Sequence, residues 1–301
     1  MSDDEALKKL EFVGFEWASD FHTLGLAYNE TSSTLLVTNH RHDFSVVEMF
    51  KLDLKAYTAT HLRSIQHPLV HGPNSMIWKS EHEFYVTNNN HFLAAKNPVL
   101  NQLEIYLGLP LGSVVHVDIS PVLEDASASP IANVVARVPF ANGIELLNNS
   151  KTAVVASSSK ARLYFFDISE QPKKDSLSSP VAFTSSSQVH CDFFPDNLAV
   201  SKDGGLMIAG HPHTPTLGKF AATRHICNTP EELAKADPAM QETCRTLAAP
   251  SWAARWTQER GIENLYADLE YPSSATAVRD SDRGTGIISG LYAKGILVWK
   301  E

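Results

Sequence analysis

Apolar residues in this chain come in short runs with strand-like character. Thr34-Leu35-Leu36-Val37-Thr38-Asn39 is one, and Val46-Val47-Glu48-Met49-Phe50-Lys51-Leu52 alternates with period two. Others are Glu83 to Thr87, Ser113 to Asp118, Ala153 to Ala156, Arg162 to Asp167, Asn197 to Val200, Leu206 to Ala209, Gly286 to Gly290 and Gly295 to Trp299. Most are rich in β-branched or aromatic residues and bounded by Asn, Asp, Gly, Ser or Pro. Many short strands joined by polar turns predict an all-β sandwich, barrel or propeller.

A weak repeat runs through the pattern. Asn74, Asn142 and Asn197 each stand just before a strand, and each time a polar turn and a second strand follow. The asparagines are 68 and 55 residues apart. That fits propeller blades with loop insertions, whose inner strands begin beside a central channel and bring polar residues to one point. Two regions break the pattern. Residues 169–187 are rich in Ser, Lys and Pro and read as an exposed loop. Residues 229–247 read as a helical insertion, with Thr229 as cap, Pro230 at the first position, Glu231-Glu232 complementing the dipole and Pro238 ending or kinking it.

The 301 residues, 43% hydrophobic and 20% charged, suit an ordinary globular protein. The net charge of −9 and the lack of a basic patch argue against nucleic acid as a partner. No apolar run reaches the roughly 18 residues needed to span a bilayer. The start, Met1-Ser2-Asp3-Asp4-Glu5, is not a secretory signal, so the chain as written is expected in the cytoplasm. Cys191, Cys227 and Cys244 have no metal-site spacing, and three free or packed thiols are expected.

The Asn and Asp residues before strands carry the most chemical information: Asn74 in Gly72-Pro73-Asn74-Ser75, Asn142 in Phe140-Ala141-Asn142-Gly143-Ile144, and Asp196-Asn197 after Pro195. Four such side chains at one channel mouth would suit a hard cation such as calcium, although Asn and Asp also favour turns for local reasons. His40 and His211 follow strands and have the pKa range of a base. No nucleophile elbow, P-loop or Gly-x-Gly-x-x-Gly sequence is present.

At these residues the sequence resembles the serum paraoxonase/arylesterase family, from about Phe21 to about Trp299. The resemblance is carried by Val37-Thr38-Asn39-His40, Glu83 to Asn88, Glu104-Ile105-Tyr106-Leu107-Gly108-Leu109, Phe140 to Ile144, Asp196-Asn197 and Gly210-His211-Pro212, in matching order and spacing. The helical insertion is similar to that of fungal members. The resemblance implies a six-bladed β-propeller holding calcium, here incomplete in its first blade, forming one domain over 1–301 with an N-terminal remnant at 1–20. It implies a small-molecule ester or lactone as substrate and Asn74, Asn142, Asp196 and Asn197 as ligands of one catalytic Ca2+. His40 matches one member of a histidine dyad, and His211 matches a histidine lining the channel mouth.

Departures accompany the match. The family's first dyad histidine falls at Leu24, which cannot move a proton. His22, two residues earlier, would face the same side if the segment were a strand. Ser75 stands where the family has an aspartate for a second, structural calcium, so that site is expected to be weak or absent. Asn89 and Asn90 replace an Asp-His pair. About 20 residues precede Phe21, where the family has roughly 80 more, including a glutamate ligand and a secretion or membrane signal; with them the natural chain would be secreted or membrane-associated. The expectation is a calcium-dependent arylesterase or lactonase. The alternative is a catalytically degenerate propeller acting as a binding or accessory protein, for instance in fungal secondary metabolism.

Overall fold

A computed structural model describes residues 8–125, 127–171 and 181–300. The described residues form five β-sheets, where the sequence led to an expectation of six blades, the first incomplete. The first sheet has the order β1 (Glu11–Val13), β5 (Thr58–Ile65), β4 (Ser45–Asp53), β3 (Thr34–His40), β2 (Leu26–Asn29). From β2 to β5 it is an antiparallel meander, and β1 joins its outer edge in parallel. A second meander contains β6 (Pro73–Trp78), β7 (Glu83–Asn88), β8 (Ser113–Asp118) and β9 (Ile131–Arg137). A third contains β10 (Ala141–Leu147), β11 (Thr152–Ser157), β12 (Arg162–Glu170) and β13 (Val181–His190). A fourth contains β14 (Phe194–Val200), β15 (Leu206–His211), β16 (Ser251–Thr257) and β17 (Gly261–Asp268). The last has three strands, β18 (Ser274–Asp280), β19 (Thr285–Gly290) and β20 (Leu297–Lys300). Sequential four-stranded meanders are the blade unit of propeller-like folds.

The chain divides into two compact units, one of residues 1–144 and 168–183, the other of 145–167 and 184–301. Each has its own core. In the first, Leu36, Val47, Phe84, Val86, Val115 and Val117 are fully buried. In the second, Val154, Leu163, Leu206 and Ile208 are. In both cores the strands contribute β-branched and aliphatic side chains, which suit a pleated, packed surface.

The region read as a loop at 169–187 holds the end of β12 and most of β13; residues 172–180 lie outside the described residues. The helical region starts earlier than the sequence suggested. It comprises α3 (Thr214–Cys227), α4 (Pro230–Lys235) and α5 (Pro238–Thr246), after α1 (Pro98–Leu107) and the short α2 (Ser120–Glu124). Pro238 opens a helix rather than ending one. The Asp237 side chain accepts from Met240 N at 2.8 Å, and proline costs nothing at a first helical position whose N–H has no partner in the helix. The cysteine expectation is corrected here. Cys227 and Cys244 form a disulfide between α3 and α5, with Cα atoms 5.2 Å apart, and only Cys191 is free. Seventeen residues of separation gave no local spacing signal; the helical turn brings the two together.

Candidate active site

The site residues of the first unit are set by one backbone irregularity. β6 pairs with β7 at Pro73–Asn88 and again at Met76–Val86, and the register shifts between them. Asn74 and Ser75 therefore form a β-bulge, the device that re-aims side chains at functional strand ends. Ser75 N donates to Thr87 Oγ1 at 3.0 Å, and Thr87 Oγ1 donates to the Asn142 carbonyl at 2.7 Å. That link holds the starts of β6 and β10 together. Asn74 and Asn142 are both buried, at 8% and 5% exposure. The Asn74 side chain makes no hydrogen bond within the described residues, so its amide oxygen is available to a ligand.

Gly25 lies against this bulge. A Cβ there would sit 2.1 Å from the Asn74 carbonyl oxygen, so no larger residue fits. Its neighbour Leu24 lines a cavity of about 740 Å³ together with His40, His67, His71, Asn90 and Phe140. His22 does not share that wall. Residues 21–25 are not a strand, which corrects the expectation that His22 would face the side of Leu24. Its ring is 68% exposed and lies 3.4 Å from Asp20.

His40 has no free nitrogen. Nε2 donates to the Pro73 carbonyl at 2.8 Å, and Nδ1 meets Ser45 Oγ at 3.0 Å. A carbonyl only accepts, so the proton sits on Nε2 and the serine hydroxyl supplies Nδ1. Burial lowers the His40 pKa and keeps the ring neutral. His40 thus fixes the residue preceding Asn74. The residues on either side of His40, Asn39 and Arg41, bond Glu48, which is fully buried. Glu48 accepts from Asn39 at 3.0 Å, Arg41 at 2.5 Å and Ser64 at 2.6 Å, and His61 Nε2 lies 3.0 Å away. Burial pushes this carboxyl upward, but these four hydrogen bonds outweigh it and hold the pKa below the usual range. Arg41 also stacks on Trp17, 4.2 Å from the ring centroid, tying down the N-terminal segment.

The second unit repeats the backbone device. β14 pairs with β15 at Pro195–Gly210 and resumes at Leu198–Ile208, leaving Asp196 and Asn197 in a bulge. Ser158 Oγ donates to the Pro195 carbonyl at 2.7 Å, the job that His40 performs for Pro73. Asn197 Nδ2 donates to Thr276 Oγ1 at 3.0 Å, which turns its carbonyl oxygen the other way. Asp196 Oδ2 lies 3.0 Å from His211 Nε2, and both residues are buried. His211 is therefore a partner of the carboxylate rather than only a lining residue. Its Nδ1 is buried without a hydrogen-bond partner.

Sequence reasoning missed the Thr-Asn pairs that brace these strand ends. Thr38 Oγ1 accepts from Gly25 N and Thr87 Oγ1 from Ser75 N; Asn39 Oδ1 accepts from His22 N and Asn88 Oδ1 from His71 N. The signal was the repeated Val-Thr-Asn at 37–39 and 86–88. It also missed Glu104, whose buried carboxylate accepts from His91 N and Phe92 N and so shapes the loop lining the cavity.

Among the described residues no group of three or more His, Cys, Asp or Glu side chains is placed to hold a metal. The expected ligand set is of another kind, three amides and one carboxylate, and oxygen donors of this sort match the preferences of a hard cation. Asn74 and Asn142 in one unit, and Asp196 and Asn197 in the other, are each buried or half-buried at bulged or opening strand positions. Among the described residues no helix is long and apolar enough to cross a membrane.

Antiparallel meanders with polar residues at the starts of their first strands place the chain among propeller-like proteins with a polar site. Comparison with known proteins agrees. Residues 4–234 match the arylesterase family model, and the chain belongs to the arylesterase family. It is 28% identical over 169 residues to human serum paraoxonase/arylesterase 1, and 29% identical over 180 residues to rabbit (Oryctolagus cuniculus) serum paraoxonase/lactonase 3. These matches cover 55% and 60% of this chain but only 44% and 45% of the relatives. The chain thus spans about half the length of the curated relatives it matches. A solved structure described as a candidate gluconolactonase superposes with a TM-score of 0.52 at 10% identity, covering 92% of this chain and 73% of that one. That likeness concerns the fold alone.

Proposed function

We propose that this protein is a calcium-dependent hydrolase of esters or lactones. The observation that carries the reading is the pair of equivalent bulges, Asn74-Ser75 and Asp196-Asn197, each behind a proline whose carbonyl is held by a side chain. Family membership and the printed names of the relatives support the substrate class. Asn74, Asn142, Asp196 and Asn197 would hold the ion. When bound, calcium supplies Lewis-acid polarisation of a carbonyl and charge for an oxyanion. The chain's own residues do the rest. Leu24, Phe140 and neutral His40, His67 and His71 would receive an apolar acyl group in a cavity whose lining also includes Asp43 and Lys96. His40 positions Asn74 through Pro73, and His211 fixes the orientation of the Asp196 carboxylate.

A second reading has its own observation. Leu24 carries no proton and both His40 nitrogens are engaged, an arrangement suited to a propeller that binds without catalysis. Phenyl acetate and a medium-chain lactone, offered with calcium and after chelation, separate the two. Turnover abolished by EDTA, restored by calcium and lost in Asn197→Ala supports the hydrolase. Turnover that persists after chelation removes the calcium mechanism. A calcium-dependent thermal shift without turnover favours the binding protein.

A further inference from the structure

Two Asn-x-Ser/Thr tripeptides occur in the sequence, Asn29-Glu30-Thr31 and Asn148-Asn149-Ser150. Both fall in the turn joining the first and second strands of a meander, β2 to β3 and β10 to β11. The second is exposed, and Asn148, Asn149 and Ser150 take φ of 54°, 53° and 62°, projecting the turn in a left-handed conformation. One amide hydrogen of Asn148 is used by Thr152 Oγ1 at 3.1 Å, which leaves the other for substitution.

This turn borders a second cavity, of about 760 Å³, at the end of β14 opposite its bulge. The cavity wall contains Phe165 and Trp256, with ring centroids 4.7 Å apart, and its rim contains Asp167, Ser186, Lys202 and Gln258. An aromatic wall with a hydrogen-bonding rim matches a pyranose, which has an apolar C–H face and a belt of hydroxyls. Independently, the Cys227–Cys244 disulfide belongs to an oxidising compartment, where oligosaccharide transfer to asparagine also takes place.

We propose that Asn148 carries an N-linked glycan whose first sugar lies in this cavity. In the transfer, Asn148 Nδ2 loses a proton and bonds to C1 of the sugar. The C1–O bond to a lipid diphosphate donor breaks and the lipid diphosphate leaves. The proposal does not rest on the hydrolase reading.

The test expresses the full chain behind a cleavable secretion leader in a eukaryotic host, in an Asn29→Gln background. Peptide mass spectrometry is expected to find a glycan on Asn148 that Ser150→Ala abolishes. Trimming to the first N-acetylhexosamine is expected to preserve Tm. The unglycosylated Ser150→Ala protein, which keeps Asn148, is expected to melt about 2 °C lower, and Trp256→Ala cancels the difference. An unmodified Asn148 in secreted, disulfide-bonded protein overturns the proposal. So does a glycan whose absence leaves Tm unchanged with Trp256 present.

Discussion

The bulge at Asn74-Ser75 and the bulge at Asp196-Asn197 share a backbone plan and differ in chemistry. Each interrupts the first pair of a meander directly after a proline. The first has no charge, its leading amide has no hydrogen-bond partner among the described residues, and its proline is held by a histidine whose chain neighbours Asn39 and Arg41 bond the buried Glu48. The second has a carboxylate engaged by His211 and an amide tied to Thr276, and its proline is held by a serine. One geometry thus produces an available neutral donor in one place and an oriented charge in the other. The shared part is the device for presenting oxygen atoms; the residues around it decide what each presents.

The comparison breaks most severely at Glu48. Glu48→Gln leaves Arg41 buried without its counter-charge and should cost about 3–5 kcal/mol, read by chemical denaturation. A loss under 1 kcal/mol would mean that the network does not support the first bulge. Asp196→Asn should come next. A calcium excess of a hundredfold over Kd stabilises a folded protein by roughly 2.7 kcal/mol. That calcium-induced rise in Tm should vanish in Asp196→Asn and be reduced but present in Asn74→Ala. Equal effects would show that the charge does not distinguish the bulges.

His40→Ala and Ser158→Ala remove equivalent anchors. Each should cost about 1 kcal/mol, the net worth of a typical hydrogen bond. A much larger loss of turnover than of stability in His40→Ala alone would assign His40 chemistry beyond positioning. The mildest expectation concerns pH. Burial lowers the pKa of His40, His67, His71 and His116, and hydrogen bonds lower that of Glu48. The unfolded chain therefore binds protons first. Stability should fall as pH drops below about 6.5, and further below about 4.5, where the unfolded glutamate protonates. Stability that is flat from pH 7 to 4 would contradict those directions.

The strands were legible because burial follows local composition: Thr34 to Asn39, Glu83 to Thr87 and Leu206 to Ala209 all lie in strands. The same reasoning misjudges β4. Local composition offers no place for a buried glutamate, yet Val46 through Phe50, Glu48 included, are all buried. The partners that make a buried glutamate tolerable, Asn39, Arg41, His61 and Ser64, come from other segments of the chain. The bulges were hidden for a similar reason. A register shift belongs to two strands at once and leaves no mark in either alone. Asn74 and Asp196-Asn197 could be singled out by residue type and position, but the roles of Thr87, His211 and Thr276 depend on pairing across sheets. His22 was misplaced because the segment before β2 is held by side-chain caps rather than by a ladder.

The disulfide has a topological consequence. Cys227 and Cys244 flank an exposed helical turn, while β14 and β15 precede it and β16 and β17 follow it in the same sheet. A protease cut between the two cysteines would divide the chain without separating its pieces. They would migrate as one band until a reductant is added, and the sheet spanning the cut would still hold them in register. The insertion is therefore the natural place to split this protein into two complementing fragments.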